Sequence, residues 1–450
     1  MKTPKYLAAV VGAGPAGLYG AEFLAQSDVR VVVLNRDIRP GGLAEYGIYP
    51  EKYRMKEGLR RQFRRILEHP LITYYGNLLV GREGDLSLED LFSLGFQGVL
   101  VTVGAQGTKW LGIPGEDLHG VYHAKYIVYH YNKLPPYSTW SFDIGRRVAL
   151  IGVGNVMVDV ARWLIREKKV DEVIAVARRG PAEVKFTRDE FATIAANLDV
   201  ADLEREIARV ANVMRSVGQD PEAAKAFILS ALERAYPKVS STRFRFRFLS
   251  SPKRILGDAH NRVRVLEVEN NTLVRVGETT KPRGLRTFDM LEVDTVIYCI
   301  GDQVDPGLGL PVKWGAYVTH PHPRFPVEGT SYEAYDPEKE EAIEGIFVAG
   351  WARQPSKGLV GTARKDGRHG AQALLHYLRT QSTLSPEEME ARLNALRARF
   401  RELDKPVVTE EDWFRLLEVE RREAERRGVP EFKFATNEEM LRAIGKLPSR

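Results

Sequence analysis

Two glycine-rich turns, each set between a short apolar run and a helical pattern, constrain this chain more than any other feature. Tyr6 to Val11 is apolar and of β type. It ends in Gly12-Ala13-Gly14-Pro15-Ala16-Gly17, after which Leu18 to Ala25 has helical periodicity and Val29 to Leu34 reads as a second strand. A G-x-G-x-x-G match carries weight only in this context. Gly12 makes the tight turn, Gly14 lets backbone approach a pyrophosphate, and Gly17 permits close helix and strand contact, while the helix N-terminus turns its free N–H groups toward the phosphates. The turn therefore predicts a dinucleotide site. About 20 residues beyond the glycines, where an acid usually receives the ribose hydroxyls, stand Asn35, Arg36 and Asp37. An amide still hydrogen-bonds a ribose hydroxyl, with less charge to repel a phosphate, so Asn35 leaves the identity of the first nucleotide open.

The pattern recurs from Arg147 to Arg179. Val148 to Ile151 is a strand, Gly152-Val153-Gly154-Asn155-Val156 the turn, Val158 to Ile165 helical, and Glu172 to Ala177 the next strand; Met157 replaces the third small residue. Arg178-Arg179-Gly180-Pro181 follows. Two guanidinium groups stand where an NAD site would hold an acid, and Arg accommodates a 2′-phosphate bidentately, so NADP is favoured over NAD.

The 450 residues, 44% hydrophobic and 28% charged, fit two or three globular domains and argue against disorder, collagen-like repeats and membrane spanning. An excess of 66 basic over 60 acidic residues is too small by itself to suggest a nucleic-acid binder. Cys299 is the only cysteine. The chain cannot form an internal disulfide, a Cys-x-x-Cys pair, an iron–sulfur cluster on four of its own thiolates or a Cys-rich zinc site, and His320-Pro321-His322, lacking an acid or thiol partner, reads as a loop and not as a metal site. Redox chemistry must come from a bound cofactor. Two dinucleotide sites without a second thiol suggest a flavoprotein in which FAD occupies one site and hydride arrives from a nicotinamide in the other. Lys2 and Lys5 before Leu7 to Val11 imitate the start of a signal peptide, but the run breaks at Gly12 with no A-x-A pattern, so a cytoplasmic protein is expected.

Further segments keep one order and spacing across nearly the whole chain. They are Gly42-Leu43-x-x-Tyr46-Gly47, Tyr75-Gly76-Asn77-x-x-Val80-Gly81-Arg82, Ile113-Pro114-Gly115-Glu116-Asp117-Leu118-x-Gly120-Val121, Tyr131-Asn132-x-Leu134-Pro135, Gly154-Asn155-Val156-x-x-Asp159-Val160-Ala161-Arg162, Phe186-Thr187 with Glu190, and Gly350-Trp351 with Gly358. Asp412-Trp413 and Glu439-Met440-Leu441 continue the match into the tail. With the two glycine turns, these segments resemble the adrenodoxin-reductase-like ferredoxin–NADP⁺ reductases. The resemblance implies an α/β chain with two Rossmann-like dinucleotide-binding domains in the glutathione-reductase-like FAD/NAD(P) fold. The FAD domain is expected over residues 1–107 and 303–450, C-terminal helices included, with an NADP domain at 108–302 inserted into it and a helical insertion at about 195–240.

The resemblance also implies FAD around Gly12, Gly14, Pro15, Ala16, Gly17, Asn35, Gly42, Leu43, Tyr46, Val80, Trp351 and the backbone of Gly358, Leu359 and Val360. NADP(H) is implied at Gly152, Val153, Gly154, Asn155, Val156, Arg178, Arg179, Glu190 and Gly358. Trp351 and Gly358 are the implied catalytic positions beside the flavin, and Lys52 stands where family members carry a histidine near it. Asn35 replaces the family's acid, and residues 320–344 read as a longer, more charged loop than the family's.

The implied reaction passes hydride between NADP(H) and FAD and single electrons between FAD and a ferredoxin-type iron–sulfur protein. A basic surface would draw an acidic ferredoxin and raise its encounter rate. Arg60, Arg61, Arg64 and Arg65 fall on one helical face, and in Arg243-Phe244-Arg245-Phe246-Arg247-Phe248 a period of two on a strand puts Phe inward and Arg outward. Two alternatives stand beside this reading. One is an electron-entry subunit like the small subunit of glutamate synthase, disfavoured because that subunit carries an N-terminal Cys-rich segment and this chain opens at the FAD strand. The other is a non-catalytic flavin-binding regulatory protein, which Asn35 and Lys52 would fit.

Overall fold

The computed structural model describes residues 3–448; Lys2, part of the basic start weighed above, lies outside them. The chain divides into two compact units. One comprises Met1–Thr108, Tyr129–Thr139 and Gly301–Arg450, the other Lys109–Val128 and Trp140–Ile300.

In the first unit the apolar runs assemble into a seven-stranded sheet. Tyr6–Val11 lies between Val29–Leu34 and Gly98–Val101, parallel to both. Ile72–Gly76 and Glu341–Val348 extend the parallel core, and Val408–Thr409 and Glu333–Asp336 close its edges antiparallel. Strands covered on both faces read as continuous apolar runs, and Leu7 to Val10, Val31 to Leu34 and Val99 to Val101 have no exposed surface. Helices Pro15–Gln26 and Val360–Leu378 cover one face with Leu18, Leu24, Leu374 and Leu378. Their backbones touch: a Cβ on Gly367 would sit 2.1 Å from the Ala16 carbonyl oxygen, so only glycine permits this approach.

The charged stretch expected as a loop within 320–344 is partly strand. Glu333–Asp336 pairs with Glu341–Val348, and the buried Glu333 carboxylate holds Arg324 at 2.8 Å. Its many acids disguise a hairpin that seals a sheet edge.

The second unit carries a five-stranded parallel sheet in the order Val121–His123, Thr295–Tyr298, Arg147–Ile151, Glu172–Val176, Arg243–Arg247. Beside it is an antiparallel sheet of Ser250–Gly257, Val263–Val276 and Thr279–Glu292. Helices Val200–Ser216 and Pro221–Ser230 start at the N-caps Asp199 and Asp220, whose carboxylates accept first-turn backbone N–H groups. Among the described residues no helix is long and apolar enough to cross a membrane.

In each unit the strand before the glycine turn is flanked on both sides by parallel neighbours reached by opposite crossovers. Ligands of open α/β sheets bind in the crevice at the carboxyl ends of such strands.

Candidate functional site

The first turn is built by three strand ends held in register. Gly12 N–H donates to Leu34 O at 2.8 Å, and Thr102 Oγ1 donates to Gly12 O at 2.8 Å. Gly12 has φ +102°, and a Cβ there would meet Thr102 O at 2.6 Å, whereas a Cβ on Gly17 would lie 2.0 Å from Gly12 O. Gly14 is different. Nothing lies within 4 Å of its Cβ direction, and it caps helix Pro15–Gln26 without a side-chain hydrogen bond. The helix thus presents uncapped first-turn N–H groups above an open floor.

The other sequence-predicted residues gather here in part. Gly41 N–H bonds Ala13 O at 2.7 Å, and a Cβ on Gly42 would lie 3.1 Å from Gly14 Cα. Leu43 and Tyr46 follow on a short helix, with Tyr46 packed against Tyr129 and Leu134. A Cβ on Gly350 would lie 2.7 Å from Ala16 Cβ. Val80 is buried with Val11 and Leu34. Trp351 is half-buried and donates from Nε1 to Lys357 O at 3.0 Å. Gly358 has φ +76°, and Leu359, 74% exposed, caps helix Val360–Leu378 without a side-chain bond. Lys52 is half-buried in the turn Pro50–Lys52, at the start of helix Tyr53–Leu67.

Asn35 is a buried strut. Its Oδ1 accepts from Ala13 N at 3.0 Å, and its Nδ2 donates to Asp37 O at 2.8 Å, to Arg39 O at 3.1 Å and to Tyr74 Oη at 3.3 Å. A carboxylate would set an oxygen against two carbonyls, so this backbone requires an amide. Asn35→Asp is expected to cost about 1–3 kcal/mol of stability, read as a lower urea midpoint; an unchanged midpoint would refute the strut.

In the second unit Gly152 has φ +123°, with Cys299 O only 2.5 Å from its Cβ direction, while the nearest atom to a Cβ on Gly154 is 4.0 Å away. Gly154 caps helix Asn155–Trp163 with no side-chain bond. Val153 O accepts from Lys185 N at 2.8 Å and Asn155 Oδ1 from Thr187 N at 3.0 Å, which fixes the loop before the half-buried Glu190. Met157 is fully buried in the core. The two arginines differ. Arg178 is exposed and has no ion pair among the described residues, whereas Arg179 pairs with Glu183 at 3.5 Å.

Residues 6–220 match the family profile described as pyridine nucleotide-disulphide oxidoreductase. The chain is 27% identical to the mitochondrial NADPH:adrenodoxin oxidoreductase of Salvelinus fontinalis, covering 96% of this chain and 90% of that protein. It is 28% identical to the NADPH-ferredoxin reductase FprA of Mycobacterium leprae, covering 96% and 97%. The structure of Mycobacterium tuberculosis FprA in complex with NADPH superposes with a TM-score of 0.80 at 26% identity, covering 98% of this chain and 99% of that one. Over nearly its whole length the chain is similar to the adrenodoxin-reductase-like flavoproteins.

Two expectations for this adrenodoxin-reductase-like chain are corrected by its side chains. Phe244, Phe246 and Phe248 are buried as the period of two predicts, but the arginines between them do not form a free basic surface. Arg243 pairs with Asp199, Asp202 and Glu172, Arg245 with Glu172, and Arg247 with Asp289 and Glu206. The neighbouring strand Glu172–Val176, the helix Val200–Ser216 with its N-cap, and strand Thr279–Glu292 bring matching carboxylates to the row. Arg60 is also withdrawn, 15% exposed and held by Glu45 at 2.5 Å and Glu431 at 2.7 Å. Arg61 and Arg65 stay exposed without ion pairs among the described residues, and Arg64 pairs with Glu68 at 2.9 Å.

Arg60 belongs to a buried ionic cluster that no motif in the adrenodoxin-reductase-like sequence announces. Glu45, between Leu43 and Tyr46, is bound by Arg60 and Lys433; Lys56 binds Glu431 at 2.7 Å, and Arg39 binds Glu420. Burial alone would raise the Glu45 carboxyl, but Lys433 and Arg60 hold it well below the usual range. The C-terminal segment thereby clamps the chain that follows Gly42. Two further residues support the site without any motif to mark them: Thr102, which holds Gly12, and Asp366, whose carboxylate accepts from Gly350 N at 2.6 Å and binds Arg353. The sequence signal for Thr102 is a polar residue directly after the buried strand Gly98–Val101.

Proposed function

We infer that this protein is an NADPH-dependent flavin oxidoreductase that passes electrons to an iron–sulfur protein of ferredoxin type. The observation that carries the reading is the pair of uncapped helix N-termini above glycines with open Cβ directions, Gly14 and Gly154, at the carboxyl ends of parallel strands in two sheets. Each fits a pyrophosphate. We assign FAD to residues 1–107 and 303–450, with Gly12 to Gly17, Gly42, Leu43, Tyr46, Val80, Trp351 and Gly358 to Val360 around it. NADP(H) is assigned to residues 108–302, at Gly152 to Val156, Arg178, Arg179 and Glu190. Bound FAD supplies the chemistry, accepting hydride from reduced nicotinamide and exchanging electrons singly with the partner.

The chain's own work is position and electrostatics. Gly14 admits the phosphates, Asn35 fixes the turn beneath them, and the exposed Arg178 offers charge-assisted bonds to a 2′-phosphate. Trp351, Gly358 and Lys52 are assigned to the flavin's surroundings. Cytoplasmic location is part of the proposal, in keeping with a single thiol. Steady-state turnover with NADPH and NADH in parallel, ferredoxin as acceptor, tests the assignment; a higher kcat/KM for NADH would refute the role given to Arg178.

A further inference from the structure

Several exposed basic side chains lie along one face of the first unit. Helix Val360–Leu378 presents Arg364, Lys365 and Arg368 along a shallow groove of about 500 Å³, which Phe23 and His369 also line. Tyr19 of helix Pro15–Gln26 joins this groove to helix Tyr53–Leu67. The guanidinium groups of Arg364 and Arg368 lie 4.8 and 5.7 Å from its ring centroid, and its hydroxyl donates to Gln62 Oε1 at 2.5 Å. Arg61 precedes Gln62, and Arg65 follows it by three residues.

Of the carboxylates at the groove, Glu328 is exposed and Glu22 is half-buried. Lys365 pairs with Glu328 at 3.2 Å, both about two-thirds exposed, and Arg368 with Glu22 at 2.6 Å. The exposed pair of Lys365 and Glu328 is worth roughly 0–1 kcal/mol, so an incoming acid exchanges with it at little cost, whereas the half-buried Glu22 keeps Arg368 in place. Arg364 has no ion pair among the described residues. Its planar fork is held over Tyr19, which lowers the entropy lost when it binds a carboxylate. The cations lie on two helices, with Tyr19 of a third between them, and spread along an open surface without meeting at one point, which suits a protein face better than a small anion. Arg364 also lies one turn beyond Val360, on the helix whose start is assigned to the flavin.

We propose that this face docks an acidic iron–sulfur protein of ferredoxin type, with Arg364 as its fixed anchor. The proposal rests on the electron-acceptor reading above. Its test is turnover of the FAD-loaded enzyme with NADPH and an acidic plant-type ferredoxin at low and high salt, with ferricyanide as a small acceptor. The double variant Arg61→Glu with Arg364→Glu should raise the KM for ferredoxin on the order of tenfold at low salt and flatten its salt dependence, while ferricyanide turnover stays within about twofold. Arg364→Lys, which keeps the charge and loses the fork over Tyr19, should raise the KM by less than Arg364→Glu, and Arg243→Glu, in the self-neutralised strand, should leave the KM unchanged. An unchanged KM in the double variant, or ferricyanide turnover falling in step with ferredoxin turnover, overturns the docking surface. If the wild-type protein is reduced by NADPH but passes nothing to ferredoxin, the acceptor reading itself fails.

Discussion

Gly14→Val is expected to yield a folded protein that purifies without colour. Apart from its chain neighbours, no protein atom lies within 4 Å of a Cβ at this position, so a side chain is rooted in open space, and the sheet and helix contacts should stay intact. It does occupy the one direction from which a pyrophosphate reaches the uncapped N–H groups of helix Pro15–Gln26. FAD affinity should fall on the order of 100-fold or more, equivalent to about 2.8 kcal/mol, while the melting temperature of the flavin-free protein stays close to that of the wild-type apoprotein. Gly17→Ala provides the contrast. Its Cβ would lie 2.0 Å from Gly12 O, so it should lose both flavin and stability, by roughly 1–3 kcal/mol or more. Retention of flavin by Gly14→Val would remove the first nucleotide from this turn.

Arg178→Ala should lower kcat/KM for NADPH by about 10- to 100-fold through KM and leave NADH turnover unchanged. Hydrogen bonds to charged groups contribute about 1.5–3 kcal/mol, and Arg178, exposed and without an internal acid, is disposed to make them with a 2′-phosphate. Arg179 already binds Glu183, whose carboxylate also accepts from Thr280 Oγ1 at 2.5 Å. Arg179→Ala should therefore cost less, even though sequence places the two side by side as equals. Equal losses in the two variants would mean that Arg179 leaves Glu183 when the nucleotide binds.

What the sequence makes legible is periodic or local. Runs such as Tyr6 to Val11 and Val29 to Leu34 announce strands buried on both faces, and the glycines between strand and helix mark where backbones must touch. The Phe face of Arg243 to Phe248 is equally plain, because alternation alone sends those rings inward. Whether the arginines between them are free depends on Glu172, Asp199, Asp202, Glu206 and Asp289, which the fold delivers from other elements. The same holds for Arg60, whose partners Glu45 and Glu431 stand far apart in the chain, and for Arg39 with Glu420. Asn35 looks like a missing acid when only its position is read; the carbonyls of Asp37 and Arg39, both within hydrogen-bond reach of its amide, show why an acid is excluded. The hairpin at Glu333 to Asp336 stays hidden for a related reason, since its buried acid, Glu333, is matched by Arg324 from outside the strand.

The most direct test of the central claim is anaerobic titration of the purified protein with NADPH, followed by addition of oxidised ferredoxin. The account predicts a visible flavin band that bleaches stoichiometrically with NADPH and returns as ferredoxin is added. A flavin band that NADPH leaves unchanged would contradict it.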